Sequence, residues 1–143
     1  MIMGTISKNF SYSEFERSET AERKGIVNVI ATARVRDSIQ ALVLNVLQPL
    51  RTALGVEMHI NSGYRCPELN EAVGGVPNSM HLRGEAADVA TPTPLRLARK
   101  AVEMGLPFDQ IGIYPTFVHF SHRLGGPQRG QIFYSKNYKG ERL

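Results

Sequence analysis

Cysteine is nearly absent from these 143 residues, and the one present, Cys66, has no partner for an internal disulfide. A disulfide-built secreted scaffold is excluded, a lone thiol makes a poor metal site, and the chain suits a reducing cytoplasm. No apolar run approaches the roughly 20 residues that span a bilayer. Ala41-Leu-Val-Leu-Asn-Val-Leu47 is cut by Asn45 and followed by Gln48-Pro49, so membrane insertion is not expected. The amino terminus, Met1 to Phe10, shows no basic segment followed by an apolar core and a small-residue cleavage site. No secretion leader is expected, and synthesis in the cytoplasm is. Basic blocks are missing too: 17 Lys and Arg against 13 Asp and Glu give a net charge of +4 and a pI near 9.5, with the bases scattered. That balance favours approach to any polyanion, but no nucleic-acid motif accompanies it, so no nucleic-acid partner is expected. A small basic DNA-associated protein would carry no metal. Repeats and low-complexity tracts are absent.

What remains is ordinary for a globular chain, with 42% apolar and 21% charged residues, and the length suits a single domain over 1–143. Residues 1–34 are expected to form an extension packed on that domain, and 124–143 a basic carboxy-terminal tail. Ser11-Tyr-Ser-Glu-Phe-Glu16 reads as a short capped helix with Phe10 and Phe15 on its apolar side. Ser18 to Gly25 is polar and reads as a surface loop or frayed helix closed by its glycine. From Val35 to Ala53 apolar residues recur every three or four positions, which predicts a core-facing helix that Pro49 should kink or tighten. Val56 to Gly63 reads as a strand, Cys66 to Val73 as a short helix with Pro67 in its first turn, and Pro94 to Met104 as a helix ended by Gly105. Gln110 to Tyr114 and Phe117 to His122 predict a hairpin-like pair of strands across Pro115-Thr116. Gln131 to Tyr134 is either an edge strand or a surface segment. Helices first, then strands with inserted helices, favour an α+β fold with a mostly antiparallel sheet.

The chemistry concentrates in Ser79-Met-His-Leu-Arg-Gly-Glu-Ala-Ala-Asp88 and Phe117-Val-His-Phe-Ser-His122. A turn at Arg83-Gly84 lets the chain hold His81 in a loop and return as a strand with Ala86 and Asp88 on one face. In the second segment Phe117, His119 and Ser121 share a face, and Val118, Phe120 and His122 share the other, so one histidine at most joins the same metal. His119, in mid-strand, is the better placed. Taken alone, such a histidine is more often a hydrogen-bonded core or surface residue; His81, Asp88 and His119 together form the three-ligand set of a catalytic zinc site.

Ser62-Gly-Tyr-Arg-Cys-Pro67, the His81 to Asp88 segment and Phe117-Val-His119 resemble the zinc D-Ala-D-Ala carboxypeptidase family, peptidoglycan peptidases that share a fold with the hedgehog signalling domain. The likeness covers roughly residues 35–123, and Phe10-Ser-Tyr-Ser-Glu-Phe15 is similar to the start of phage and prophage members. The resemblance implies a small mostly antiparallel sheet with flanking helices and a Zn²⁺ ion on His81, Asp88 and His119. It implies that Arg65 holds a substrate carboxylate or a developing oxyanion, a role that suits a guanidinium fork. Ser62, Tyr64 and Ser79 are expected to touch substrate, although Tyr64 reads equally as a structural aromatic.

Family members commonly carry an acidic residue three positions before the last ligand or two after it, to take the proton from water. Thr116 and Ser121 stand there, and neither is a base at neutral pH. His122, Asp109, Glu85 and His59 are the candidate substitutes, with His122 and Asp109 foremost. The expected function is zinc-dependent hydrolysis of an amide bond in the peptide stem of bacterial peptidoglycan, as a D,D-carboxypeptidase or endopeptidase. The expected setting is a monomeric phage or prophage lysis enzyme, made in the bacterial cytoplasm and reaching the wall after lysis-linked release. The alternative is a weak or inactive zinc-containing peptidoglycan-binding module.

Overall fold

A computed structural model describes residues 4–143; Met1, Ile2 and Met3, part of the stretch read above for a leader, lie outside the described residues. Its frame is a five-stranded sheet in the order β3-β4-β6-β5-β7. Here β3 is His59–Ser62, β4 Ala86–Ala90, β5 Gln110–Ile113, β6 Phe117–Ser121 and β7 Gln131–Tyr134. Three of the four pairings are antiparallel, and β7 runs parallel to β5. The α+β class and the mostly antiparallel sheet follow.

Alternation along the strands divides the sheet into two faces. Ile60, Ala87, Val89, Ile111, Ile113, Val118 and Phe120 point one way and are buried. Against them pack a long helical segment, α3 (Ala33–Leu42) continuing into α4 (Gln48–Leu54), and helix α6 (Pro94–Glu103). Leu42, Val43, Val46, Leu47 and Leu50 supply the long segment's core face, and Leu97, Ala98 and Ala101 that of α6. The other face carries Asp88, His119, Ser121 and Gln110.

Pro49 acts otherwise than the tightening expected. Residues Val43–Leu47 form a π-helical turn between α3 and α4. A proline ring crowds the carbonyl four residues earlier, here Asn45, and a wider turn relieves that contact without ending the helix.

The amino-terminal residues are tied into this frame. Strands β1 (Thr5–Ser7) and β2 (Phe10–Ser11) form a small hairpin, followed by α1 (Tyr12–Glu16), capped by Ser11 and Glu14, and α2 (Glu19–Lys24). Segment Ser18 to Gly25 is therefore an ordered helix, with Ser18 accepting from the Ala21 amide and Gly25 in the left-handed conformation. The Gln48 side chain accepts from the Asn9 amide at 3.0 Å and donates to Asn9 Oδ1 at 2.9 Å, fixing the hairpin to the long helix. Phe15 is fully buried in the core.

At the other end, Gln131 to Tyr134 joins as an edge strand. The Asp109 carboxylate, fully buried, accepts from the Arg129 backbone amide at 2.9 Å and from its guanidinium at 2.7 Å, while the Asp109 carbonyl receives the Gln131 amide at 3.0 Å. Burial works to raise the Asp109 carboxyl, but the Arg129 hydrogen bonds and charge hold it below the ordinary range. A depressed folded-state pKa contributes stability above the unfolded value of about 3.9 and loses it as pH falls through the folded value. Asp109→Asn is therefore expected to cost about 1–3 kcal/mol in urea denaturation near neutral pH. The gap to the parent should narrow steadily below about pH 4.

Candidate metal centre

Strand β4 brings Asp88 directly opposite His119 of β6, and across its other edge opposite Ser62 of β3. Ahead of β4, Met80–Arg83 form a 3-10 turn. Ser79 opens it by accepting from the His81 amide at 3.2 Å, and Gly84 closes it with φ of 74°, a conformation that favours glycine. The two segments thereby place both imidazoles over the same carboxylate. His119 Nδ1 lies 2.8 Å from Asp88 Oδ1 and His81 Nε2 lies 3.5 Å from it.

His81 is held from behind. Its Nδ1 donates to the Gly63 carbonyl at 2.7 Å, which fixes the tautomer and leaves Nε2 as the free donor atom on the Asp88 side. Gly63 is set in turn by the amino-terminal segment: a Cβ there would sit 2.7 Å from Phe15 Cδ2 and 2.8 Å from its Cα. The Tyr64 amide donates to the Phe15 carbonyl at 2.8 Å. Asn28, also buried, donates to the carbonyls of Glu16 and Tyr64 and accepts from the Cys66 amide.

Arg65 completes the cluster. Its Nη2 lies 3.8 Å from Asp88 Oδ2, its Nε donates to Ser62 Oγ at 3.1 Å, and its Nη1 donates to Asn70 Oδ1 at 3.1 Å. Asn70 is buried and donates to the Val76 carbonyl, and a Cβ on Gly75 would fall 2.1 Å from its Oδ1. Burial raises the Asp88 carboxyl, yet hydrogen bonds from His119 and His81, with their charge, outweigh it and keep Asp88 well below the ordinary range. Burial lowers Arg65, the Asp88 charge opposes that, and a guanidinium so far above neutrality stays cationic.

His81, Asp88 and His119 each offer a ligand atom within 4.8 Å of the others, and this is the one such group among the described residues. Bonds of about 2.0–2.2 Å in a tetrahedron put neighbouring donors about 3.3–3.6 Å apart. The 3.5 Å separation falls on that edge, and the 2.8 Å hydrogen bond would open by about half an ångström to reach it, so two imidazoles and a carboxylate suit a zinc ion with one position left over.

The model of the family described as Peptidase M15 matches residues 8–121, most of the chain. The chain belongs to the peptidase M15 family. It is 34% identical over 125 residues to the zinc D-Ala-D-Ala carboxypeptidase of Streptomyces albus G, an alignment covering 85% of this chain and 47% of that protein. The chain thus spans about half the length of the curated relative it matches.

In this M15 chain the other residues named from sequence separate by position. Ser62 and Ser79 stand beside the cluster, as hydrogen-bond acceptors for Arg65 and for the His81 amide. Tyr64 is buried in the hydrophobic core, away from the open face. His59 is exposed at the start of β3, opposite Ala90 and on the Asp88 face. The structure does not bring the foremost base candidates to the ligands. His122 follows β6 with the parity opposite to His119, and its Nδ1 pairs with the Pro107 carbonyl at 2.7 Å. Asp109 is committed to Arg129, and Glu85 to the Arg83 guanidinium and the Leu124 amide at 2.8 Å each. Of the two usual acidic positions, Ser121 is fully buried with its Oγ accepting from the Gln110 amide, and Thr116 is exposed in the β5–β6 turn.

Sequence reasoning missed Asn28 and Asn70, although the Gly74-Gly75 pair was a signal that backbone and a polar group approach closely there. It also passed over Phe133, whose Cζ would lie 2.3 Å from a Cβ on Gly112 and whose ring centroid is 6.2 Å from that of His119. Since the Gly63 carbonyl orients a ligand, Gly63→Ala should displace it and weaken zinc affinity about 10–100-fold, as loss of such outer partners does. Competition with a chromophoric chelator measures that, and circular dichroism should show the fold retained.

Proposed function

We propose that this chain is a zinc peptidase that hydrolyses an amide bond in the peptide stem of bacterial peptidoglycan, as a D,D-carboxypeptidase or endopeptidase. The convergence of His81, Asp88 and His119 beside Arg65 carries the reading, and the similarity to a zinc D-Ala-D-Ala carboxypeptidase supports it. His81, Asp88 and His119 would hold the ion, which when bound polarises an amide carbonyl and lowers the pKa of water to about 7. The residues themselves bind and orient. Gly63 keeps His81 in one tautomer, and Asp88 offsets positive charge in a half-closed site. Arg65, clamped by Ser62 and Asn70, presents its fork to a terminal carboxylate or to the oxygen that gains charge. Tyr114 stacks on Phe117 with centroids 4.3 Å apart, and burial followed by the Asp88 charge raises its phenol, which therefore remains a proton donor at neutral pH.

The setting we infer is a monomeric phage or prophage lysis enzyme whose net charge of +4 assists its approach to anionic wall polymer. Among the described residues no helix is long and apolar enough to cross a membrane. A second reading, a zinc-containing wall-binding module with little turnover, is favoured by one observation: Asp109 and Glu85 are both engaged elsewhere.

Purified protein should hold close to one zinc per chain and release D-Ala or cleaved cross-links from purified peptidoglycan. Zinc without turnover would select the second reading, and no zinc would refute both. His119→Ala is expected to lose the metal, as read by atomic emission. Arg65→Gln should retain the metal and lower kcat/KM by about a hundredfold or more.

A further inference from the structure

Beside His119 the open face deepens into a basin of about 400 Å³, lined in part by Ser79, Gln110, Arg83, Arg123 and Arg129. Gln110 and Arg129 wall it toward β5 and the turn from Val76 to Arg83 walls it elsewhere, whereas Arg65 stands toward β3, joined to Ser62. Two of the three guanidinium groups sit on prepared mounts. Arg129 rests on the fully buried Asp109 through Nε and Nη2, and Arg83 rests through Nε on the buried Glu85. Arg123 is fixed through its backbone: the Gln128 side chain accepts from its amide and donates to its carbonyl, both at 2.8 Å.

Ion pairs that only hold the fold would explain Arg83 and Arg129. They do not explain Arg123, which makes no ion pair among the described residues and whose side chain touches only the Pro127 carbonyl, at 3.4 Å. Three cations against two carboxylates leave the basin positive, and Arg123 is the cation that no carboxylate among the described residues hydrogen-bonds, acting on Asp109 through space alone. A planar fork facing a positive basin recognises a carboxylate.

We propose that this basin is a second carboxylate subsite, on the acyl side of the bond that is cut. The preferred substrate then carries two carboxylates, one at its terminus for Arg65 and one on the side chain of a residue preceding the scissile amide. This rests on the peptidase reading above and adds a specificity to it. The subsite separates wall peptides whose side-chain carboxyl is free from those in which it is amidated.

Zinc-loaded protein is given two synthetic N-acyl peptides ending in D-Ala-D-Ala, identical except that the preceding residue bears a free side-chain carboxyl or its carboxamide. KM for the carboxyl peptide should be lower by about tenfold, the worth of one charge-assisted contact. Arg123→Gln, which breaks no hydrogen bond to a buried carboxylate, should unfold close to the parent's temperature and raise KM for the carboxyl peptide toward that for the amide. Equal KM values in the parent, or a preference that survives in Arg123→Gln, would overturn the subsite. If neither peptide is cleaved, the peptidase reading fails by itself, and calorimetric binding of the same two peptides decides the subsite. Tighter binding of the carboxyl form, lost in Arg123→Gln, upholds it, and equal binding refutes it.

Discussion

Gly63 presents its carbonyl to Nδ1 of His81 at 2.7 Å, and it can do so because Phe15 fills the volume that a side chain at residue 63 would need. A histidine ligand must offer a lone pair from one nitrogen, so the other must carry the proton and be held. Here the holding group is a backbone atom, fixed in three ways. Ser62 pairs with Asp88, the Tyr64 amide is bonded to Phe15, and Asn28 bonds to the Tyr64 carbonyl and the Cys66 amide. The amino-terminal helix and loop thus act on the metal centre from beneath, through packing and three amide contacts, while lying outside its ligands.

Asp88 is the electrostatic counterpart of that constraint. A half-closed carboxylate would ordinarily resist ionisation, but the His119 and His81 imidazoles beside it outweigh burial, so its charge is the favoured state. Arg65 in turn cannot simply collapse onto Asp88. Ser62 and Asn70 hold its Nε and Nη1, leaving Nη2 at 3.8 Å from the carboxylate, beyond a full hydrogen bond. A cation detained at that distance keeps part of its fork for another anion. Gly75 belongs to this device, because any side chain there would occupy the place of the Asn70 amide.

The convergence of His81, Asp88 and His119 was legible from sequence because strand alternation is a strict rule: once His119 was placed in mid-strand, His122 had to face away, and Asp88 and Ala86 had to share a side. The hairpin across Pro115-Thr116 and the long core helix were legible for similar reasons of period. The π turn before Pro49 was not, because a proline inside an apolar helical pattern can be met by kinking, tightening or widening, and packing at Val43, Val46 and Leu47 decides among them. The roles of Asn28 and Asn70 were hidden because Asn28 bonds to a backbone carbonyl 36 residues away and Asn70 to the Arg65 side chain five residues away, with no periodic signature. Tyr64 was ambiguous between cleft and core, since a residue leaving a strand for a turn has no parity to fix its side, and burial placed it in the core.

The unusual feature of the centre is where its acids went. The positions that commonly carry an acid hold Thr116 and Ser121, and the carboxylates nearest in sequence to the ligand segments are Glu85 and Asp109. Each is buried and each accepts both a backbone amide and an arginine: Leu124 and Arg83 for Glu85, Arg129 twice over for Asp109. Asp109, bound in this way, is held below the ordinary carboxylate range and is a poor proton acceptor, since taking a proton would break charge-assisted bonds inside the protein. Both anions instead aim cations into the basin beside His119. In the proposed subsite these two acids serve to orient Arg83 and Arg129, and a group so engaged is not available as the base. Any proton acceptor for the proposed reaction must therefore come from outside Asp109 and Glu85.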